Sequence, residues 1–328
     1  MDRIPDTPPI IPALHETTGI ERPLWSVMIP VYNCFGYLRE ALESVMLQAA
    51  NRTDMQIEVV DDSSTDSDVA QIVEEIGKGR ITYFRQEENV GSLRNFETCI
   101  LRSKGKLIHL LHGDDIVLPG FYTKMQELFK DFPEAGAAFC RYQYINEKSG
   151  ILYPSDIEKQ EDGILDNWLT RLYQHQRIQT PSIVVKRSVY ENLGSFYAVH
   201  YGEDWEMWLR IAAHYPFAYT PEILASYRQH PMSISGQYFL SGQNIRDLKT
   251  VMDLTEKYIP LSERKTLRKE AEEFYSKYAI GTARMLWSKY KDHQAVRAQI
   301  KEAGKMYKNA WINKEILKLK IKMMLNIS

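Results

Sequence analysis

The first 110 residues alternate between short apolar, β-prone runs and segments whose apolar positions recur at helical spacing. Trp25 to Val31 is a compact apolar run, and Tyr37 to Gln48 then places Leu38, Leu42, Val45 and Met46 on one helical face. Ile57 to Val60 predicts a second strand and Val69 to Ile76 a second helix. Arg80 to Phe84 and a helix from about Leu93 to Arg102 repeat the pair, and Leu107 to Leu111 predicts a fourth strand. Four such alternations imply right-handed βαβ units and a mostly parallel sheet flanked by helices. Ligands of such sheets bind beyond the carboxyl ends of the strands.

The second half is less regular. Ala137 to Tyr144 predicts a strand, Leu165 to Gln174 an amphipathic helix, and Gln179 to Lys186 another strand. A helix over Ser188 to Leu193 has Gly194 in place to cap it. Glu203 and Asp204 head a helix rich in apolar and aromatic residues, and Ile223 to His230 reads as a short strand. From about Gly242 onward the pattern is helical and rich in Lys, Arg and Glu, which sets a boundary near residue 240. Residues 1–23 hold five prolines and little periodicity, the mark of a flexible leader.

Composition narrows the function. With 328 residues, 44% apolar, 26% charged and a net charge of −2, the chain is globular and too nearly neutral for a dedicated nucleic-acid binder. No run is long enough to span a membrane and no secretory pattern opens the chain. Cys34, Cys99 and Cys140 are widely separated and lack metal-ligand spacing, so a reduced, cytoplasmic setting is expected.

Polar clusters mark the strand ends: Pro30 to Asn33, Asp61 to Asp66, and Asp114 with Asp115 after Gly113. Two adjacent carboxylates stay ionised together only when a cation or hydrogen-bond donors compensate them. Carboxylate oxygens suit Mg²⁺ or Mn²⁺ carrying a phosphorylated ligand. Plainer readings stand beside this one. Asp61 to Ser64 also suits a turn with a helix N-cap, and Glu203-Asp204 suits acids facing a helix dipole. Trp205 and Trp208, three apart, suit core packing. No GxGxxG or GxxxxGK[ST] turn follows a strand, which disfavours nicotinamide-binding domains and excludes P-loop NTPases.

Taken in order, VMIPVYN, IEVVDDSSTDS, ENVGSLRNF, LLHGDD and GEDWEMWLR followed by YRQHPMSIS resemble the inverting family 2 glycosyltransferases of the GT-A fold. The resemblance covers roughly Trp25 to Gly236. It implies a GT-A domain over residues 24–240, with a nucleotide-binding half (24–120) and an acceptor half (121–240), followed by a helical region, 241–328. It implies that Pro30, Tyr32 and Asn33 line the base and ribose pocket and that Asp62 accepts the imide proton of uracil or thymine. The family's Asp-x-Asp motif falls on His112-Gly113-Asp114, so this chain departs from the pattern at His112. Asp114 would hold Mn²⁺ or Mg²⁺ with Asp115 in support, and His230 would reach the metal or the diphosphate. Arg94 and Arg228 would contact phosphate. Asp204 would be the base that deprotonates the acceptor hydroxyl, with Glu203 its neighbouring alternative.

The implied activity is transfer of a sugar from a UDP- or dTDP-linked donor to a hydroxyl of a glycan or lipid-linked glycan acceptor, in bacterial surface polysaccharide or lipopolysaccharide synthesis. A non-catalytic nucleotide- or glycan-binding module and a nucleotidyltransferase are the alternatives. The second would require a Gly-rich basic loop after the first strand, which Pro30 to Cys34 does not supply. The lysine-bearing tail, Asn313 to Ser328, leaves three placements open: an anchor on an anionic membrane at the inner face of the plasma membrane, a helix packed on the body, or a contact with a second subunit. Oligomeric state is open.

Overall fold

A computed structural model describes residues 2–14, 21–49, 52–230 and 234–327, with the side chains of residues 234–235 left aside. The chain runs β1 (Trp25–Val31), α1 (Phe35–Ala49), β2 (Met55–Asp61), α2 (Val69–Gly77), β3 (Thr82–Arg85), α3 (Ser92–Arg102) and β4 (Leu107–Leu110). It continues with β5 (Ile116–Val117), α4 (Phe121–Asp131), β6 (Ala137–Ile145), β7 (Ile151–Pro154), β8 (Gly163–Ile164) and α5 (Trp168–Gln174). Then follow β9 (Ile183–Lys186), α6 (Arg187–Leu193), α7 (Glu203–Ala212), β10 (Phe217–Arg228), α8 (Ile234–Ser241), α9 (Gln243–Thr255), α10 (Leu261–Tyr290), α11 (His293–Met306) and α12 (Ala310–Leu325).

Two compact units result. The first comprises Met1–Asp166, Ile178–Ala198 and Ile211–Gln229; the second comprises Asn167–Arg177, Val199–Arg210 and His230–Ser328. The expected single cut near residue 240 is therefore replaced by a discontinuous partition. The second unit takes two earlier segments, one of which carries Glu203 and Asp204.

In the first unit the sheet order is β3-β2-β1-β4-β9-β6-β10-β5, with β7 paired to β6 and β8 to β10. The β3-β2-β1-β4 half is parallel throughout, as the alternating pattern requires. All seven residues of β1 are buried, which is why it reads as a continuous apolar run rather than an alternating one. β9 then inserts antiparallel between β4 and β6, and β5 pairs antiparallel with β10. The sheet is thus mixed, its longer registers parallel. β10 starts six residues before the strand expected at Ile223. Pro221 interrupts its ladder with register shifts between Thr220 and Ala225, and that proline is what hid the first half of the strand.

Asp2 to Leu14, expected as a flexible leader, packs on the first unit. The carbonyls of Pro5 and Pro9 accept from Ala198 N and Ser195 N at 2.9 Å each, and Ile11 is buried. Prolines remove donors from this segment but leave its carbonyls able to tie it down.

The turn into β4 is built on close approach. At Gly105, which leads into β4, an added Cβ would lie 2.4 Å from both Ser26 N and Trp25 C, with Gly105 N donating to Ser26 Oγ at 2.8 Å. These are backbone atoms and cannot yield. In the second unit α10 buries Ala271, Tyr275, Ala279 and Ala283, one side chain per turn, and the helix packs on α11 and α12. Trp205 and Trp208 are core residues, with Trp205 Nε1 donating to the Leu172 carbonyl at 2.8 Å. Gly105→Ala is expected to destabilise the chain by about 3 kcal/mol, read as a lower urea midpoint at unchanged slope.

Candidate active site

The parallel register sets Val31 beside Asp61, so the loops after β1 and β2 leave the sheet together. They are stitched by backbone and side-chain bonds. Asp62 N donates to the Val31 carbonyl (2.8 Å), Asn33 N to Ser64 Oγ (3.1 Å), and Thr65 N to Asn33 Oδ1 (2.8 Å). Asn33 and Ser63 both adopt positive φ, +49° and +61°. Pro30 is the penultimate residue of β1, and Tyr32 beyond it is exposed.

Asp61 and Asp62 have separate tasks. Asp61 is fully buried, accepting from Tyr83 Oη (2.7 Å), Arg85 Nη1 (2.6 Å) and Ser64 N (2.9 Å). Asp62 accepts from Val90 N (2.7 Å), Gly91 N (2.9 Å) and Asn89 Nδ2 (2.8 Å), which fixes the loop before α3. Burial nevertheless raises its carboxyl above the ordinary range. The N-cap reading of Asp61 to Ser64 does not hold for α2, whose cap is Asp68, accepting from Gln71 N at 3.1 Å.

The third loop follows β4. Gly113 N donates to the Pro30 carbonyl at 3.3 Å, and a Cβ at Gly113 would meet Cys34 Sγ at 2.8 Å and Val31 Cγ2 at 3.0 Å. A larger residue would have to displace the Cys34 side chain. The chain then turns, Asp115 N reaching the His112 carbonyl at 3.1 Å, and brings His112, Asp114 and Asp115 together. Their ligand atoms all lie within 4.8 Å of one another. His112 Nε2 and Asp115 Oδ2 are buried without a hydrogen-bond partner among the described residues. Burial, then the charge of Asp114, pushes the Asp115 carboxyl well above the ordinary carboxylate range; burial lowers the His112 imidazole. Unpartnered nitrogen and oxygen donors converging in a desolvated site fit a divalent cation, and the imidazole favours Mn²⁺ over Mg²⁺. The sequence marked His112 as a departure from the acidic motif; the structure makes it the third member of the group. His109, within β4, is a core residue held by Tyr122 Oη (3.2 Å) and the Pro181 carbonyl (3.1 Å).

Two arginines expected at phosphate are otherwise engaged. Arg94 donates to the Asp2 carbonyl (2.9 Å) and pairs with Glu97 (2.7 Å). Arg228 is buried behind the acid pair. Its backbone N–H donates to Asp115 Oδ1 (2.9 Å), Nε to the Asp114 carbonyl (2.7 Å), Nη2 to Glu40 (2.8 Å) and Nη1 to Ser149 Oγ (3.0 Å). This makes it a brace. Nothing local in the sequence announces it, because its partners lie 79–188 residues away.

In the second unit Glu203 and Asp204 occupy the first turn of α7. Asp204 Oδ2 accepts from Gln176 Nε2 (2.7 Å) and Oδ1 from Trp205 N (2.6 Å). Gln176 is held in turn by its N–H on Tyr275 Oη (2.9 Å), a contact no sequence pattern signalled. Burial pushes the Asp204 carboxyl up to about 6, against the pull of those two donors. Glu203 is raised well above its ordinary value too, by burial and then by the neighbouring Asp204. Asp247 anchors the approach to α7, accepting from His200 N (3.2 Å) and Tyr201 N (3.1 Å). His230 opens the last segment of this unit; Pro231, Met232 and Ser233 of the same motif lie outside the described residues.

A mixed, mostly parallel α/β sheet with polar loops and an acidic group gathered at its carboxyl edge is the architecture of GT-A glycosyltransferases. Residues 26–194 match the family described as Glycosyl transferase family 2, and the chain belongs to that family; it is a glycosyltransferase. It is similar to an uncharacterised protein of Mycobacterium tuberculosis, 24% identical over 251 residues that span 70% of this chain and 75% of that one. An uncharacterised glycosyltransferase of Methanocaldococcus jannaschii is 26% identical over 213 residues, 64% of this chain and 72% of its own. Among solved structures, S. aureus TarS with UDP-GlcNAc superposes with a TM-score of 0.66 at 15% identity, covering 92% of this chain and 88% of that one. The mannosyltransferase PcManGT from Pyrobaculum calidifontis, with GDP-Man and Mn²⁺, gives 0.57 at 16% identity, covering 99% and 91%. At such identities the likeness is one of fold.

A carboxyl whose folded-state pKa is raised costs stability once pH exceeds its unfolded value, because the folded state must then lose a proton it holds more tightly. Asp115→Asn removes that cost. The variant is expected to melt above the parent at pH 7 in calorimetry, the gap closing as pH falls into the ordinary carboxylate range.

Proposed function

We propose that the chain transfers a sugar, with inversion, from a UDP- or dTDP-linked donor to a hydroxyl of a glycan or lipid-linked glycan. The setting would be assembly of bacterial surface polysaccharide or lipopolysaccharide on the cytoplasmic side of the plasma membrane. The observation that carries this reading is the convergence of His112, Asp114 and Asp115 beside the β1 and β2 loops, at the edge where such sheets bind ligands. The UDP-GlcNAc bound to TarS supports a uridine donor.

In this reading Pro30, Tyr32 and Asn33 border the nucleoside, and Asp62, already holding the Asn89–Gly91 loop, orients the base. Asp114 and Asp115, with His112, would hold Mn²⁺ or Mg²⁺. The bound ion would supply positive charge to the leaving diphosphate. Arg228 keeps the acid pair in place, and Arg94 serves the leader segment. Asp204 takes the proton of the acceptor hydroxyl as it attacks the anomeric carbon. A carboxyl near 6 is mostly ionised at neutral pH yet more basic than an ordinary carboxylate, which suits a general base. Gln176 and the Trp205 N–H aim it. Glu203 beside it is also raised, by burial and then by the charge of Asp204.

Thermal-shift measurements with UDP, dTDP, GDP and CMP, each with and without Mn²⁺, test the donor site. The expected result is stabilisation by UDP or dTDP that requires Mn²⁺. No shift with any nucleotide, together with no turnover of any donor, would sink the reading in favour of a binding module. Asp204→Asn is expected to lower turnover by roughly 10²–10⁴-fold while the nucleotide shift survives. The parent's turnover should rise with pH through about 6 and then level.

A further inference from the structure

The carboxyl-terminal helices reverse the charge of the rest of the chain. From Arg284 to Ser328 there are eleven Lys and Arg against three Asp and Glu, a net +8 in a chain whose total is −2. Residues before Arg284 therefore carry −10. Such asymmetry points to a negatively charged partner surface.

The last helix, α12, shows how that surface would be met. One face buries Ile312, Leu319 and Met323 against α10 and α11. The same face buries Glu315, which pairs with Arg284 and Lys318. So the helix does pack on its own unit. Its other face does not: Leu317 is 57% exposed, Ile321 41%, Met324 77% and Leu325 57%. At 100° per residue these four fall within an arc of about 100°. Lys314 lies within that arc, Lys318 and Lys322 border it on one side and Lys320 on the other, all exposed. An outward apolar strip edged by lysines on both sides suits a helix lying in the plane of a bilayer. The apolar side chains enter the headgroup boundary while the lysine stems reach up to the phosphates. A second copy is a poorer occupant, since a two-fold contact on this strip would set its lysines against themselves. Crossing the bilayer is not on offer, because no helix among the described residues is long and apolar enough.

We propose that α12 is an in-plane anchor that holds this protein on an anionic lipid surface. The anchor is independent of the donor and of the acid groups described above.

Co-sedimentation of the full chain with vesicles tests it, comparing phosphatidylcholine alone with phosphatidylcholine containing about one-third phosphatidylglycerol. The chain is expected to bind only the anionic vesicles, and at least tenfold less at about 0.5 M salt than at about 0.05 M. The double variant Leu317→Ser/Ile321→Ser and the double variant Lys314→Glu/Lys320→Glu are each expected to lose tenfold or more in partitioning, with melting temperature unchanged. These positions are exposed, so folding is spared. Failure to bind anionic vesicles at low salt, equal binding to neutral ones, or full binding by both variants would overturn the proposal. So would a concentration-dependent dimer that the Leu317→Ser/Ile321→Ser variant disperses, since that would give the strip to a second copy.

Discussion

The constraint on which the first unit turns is the pair of carboxylates that follows β4. Asp115 is all but sealed from solvent, and its neighbour's charge raises the cost of ionising it. Arg228 offsets only part of that cost. It gives Asp115 a backbone N–H and Asp114 a bond to its carbonyl, and pairs its guanidinium with Glu40 on α1. Ser149 and Arg228 hold the Glu40 carboxyl below its ordinary range. Ionised, the two acids set two negative charges side by side, and the charge of Arg228, shared with Glu40, lowers the Asp115 carboxyl without overcoming its burial. A divalent cation closes that imbalance; two protons close it otherwise. Through the same guanidinium the turn after β4 is tied to α1 and, by Asn146 and Ser149, to the β6–β7 hairpin. Rigid backing of this kind keeps two repelling groups in place without neutralising them.

Much of this was legible in the sequence because the signals are local. β1 to β4 and α1 to α3 have apolar runs and helical spacing written in adjacent residues, and the structure places each within two or three residues of the expected bounds. The polar clusters were legible for the same reason: a strand must end before its loop can bind anything. What was not legible depends on distant partners. The insertion of β9 between β4 and β6, the service of Arg228 behind the acids and the aiming of Asp204 by Gln176 all join segments far apart in the chain. The leader illustrates the opposite error, since prolines that suggest flexibility can equally hold an extended segment whose carbonyls find donors on α6 and beyond. His112 is the instructive case at the site. Measured against an acidic motif it is a substitution, while measured by geometry it is a donor atom with nowhere else to bond.

The two acid groups draw on one physical effect and put it to different uses. In both, desolvation is the largest cause of a raised carboxyl. At Asp115 hardly any donor compensates it, so the group can be satisfied only by something that arrives with positive charge. At Asp204 two donors, Gln176 and the Trp205 N–H, pull the carboxyl back to about 6, a value useful for accepting a proton from a hydroxyl near neutral pH. Stronger compensation would make Asp204 an ordinary, weaker base; none would leave it protonated and idle. In the proposed reading, the difference between holding a cation at Asp115 and taking a proton at Asp204 follows how many N–H groups face each carboxylate, and not the residue type, which is the same. Both groups burden the folded state with charge it would sooner shed, and the extensive apolar cores of the two units bear that burden.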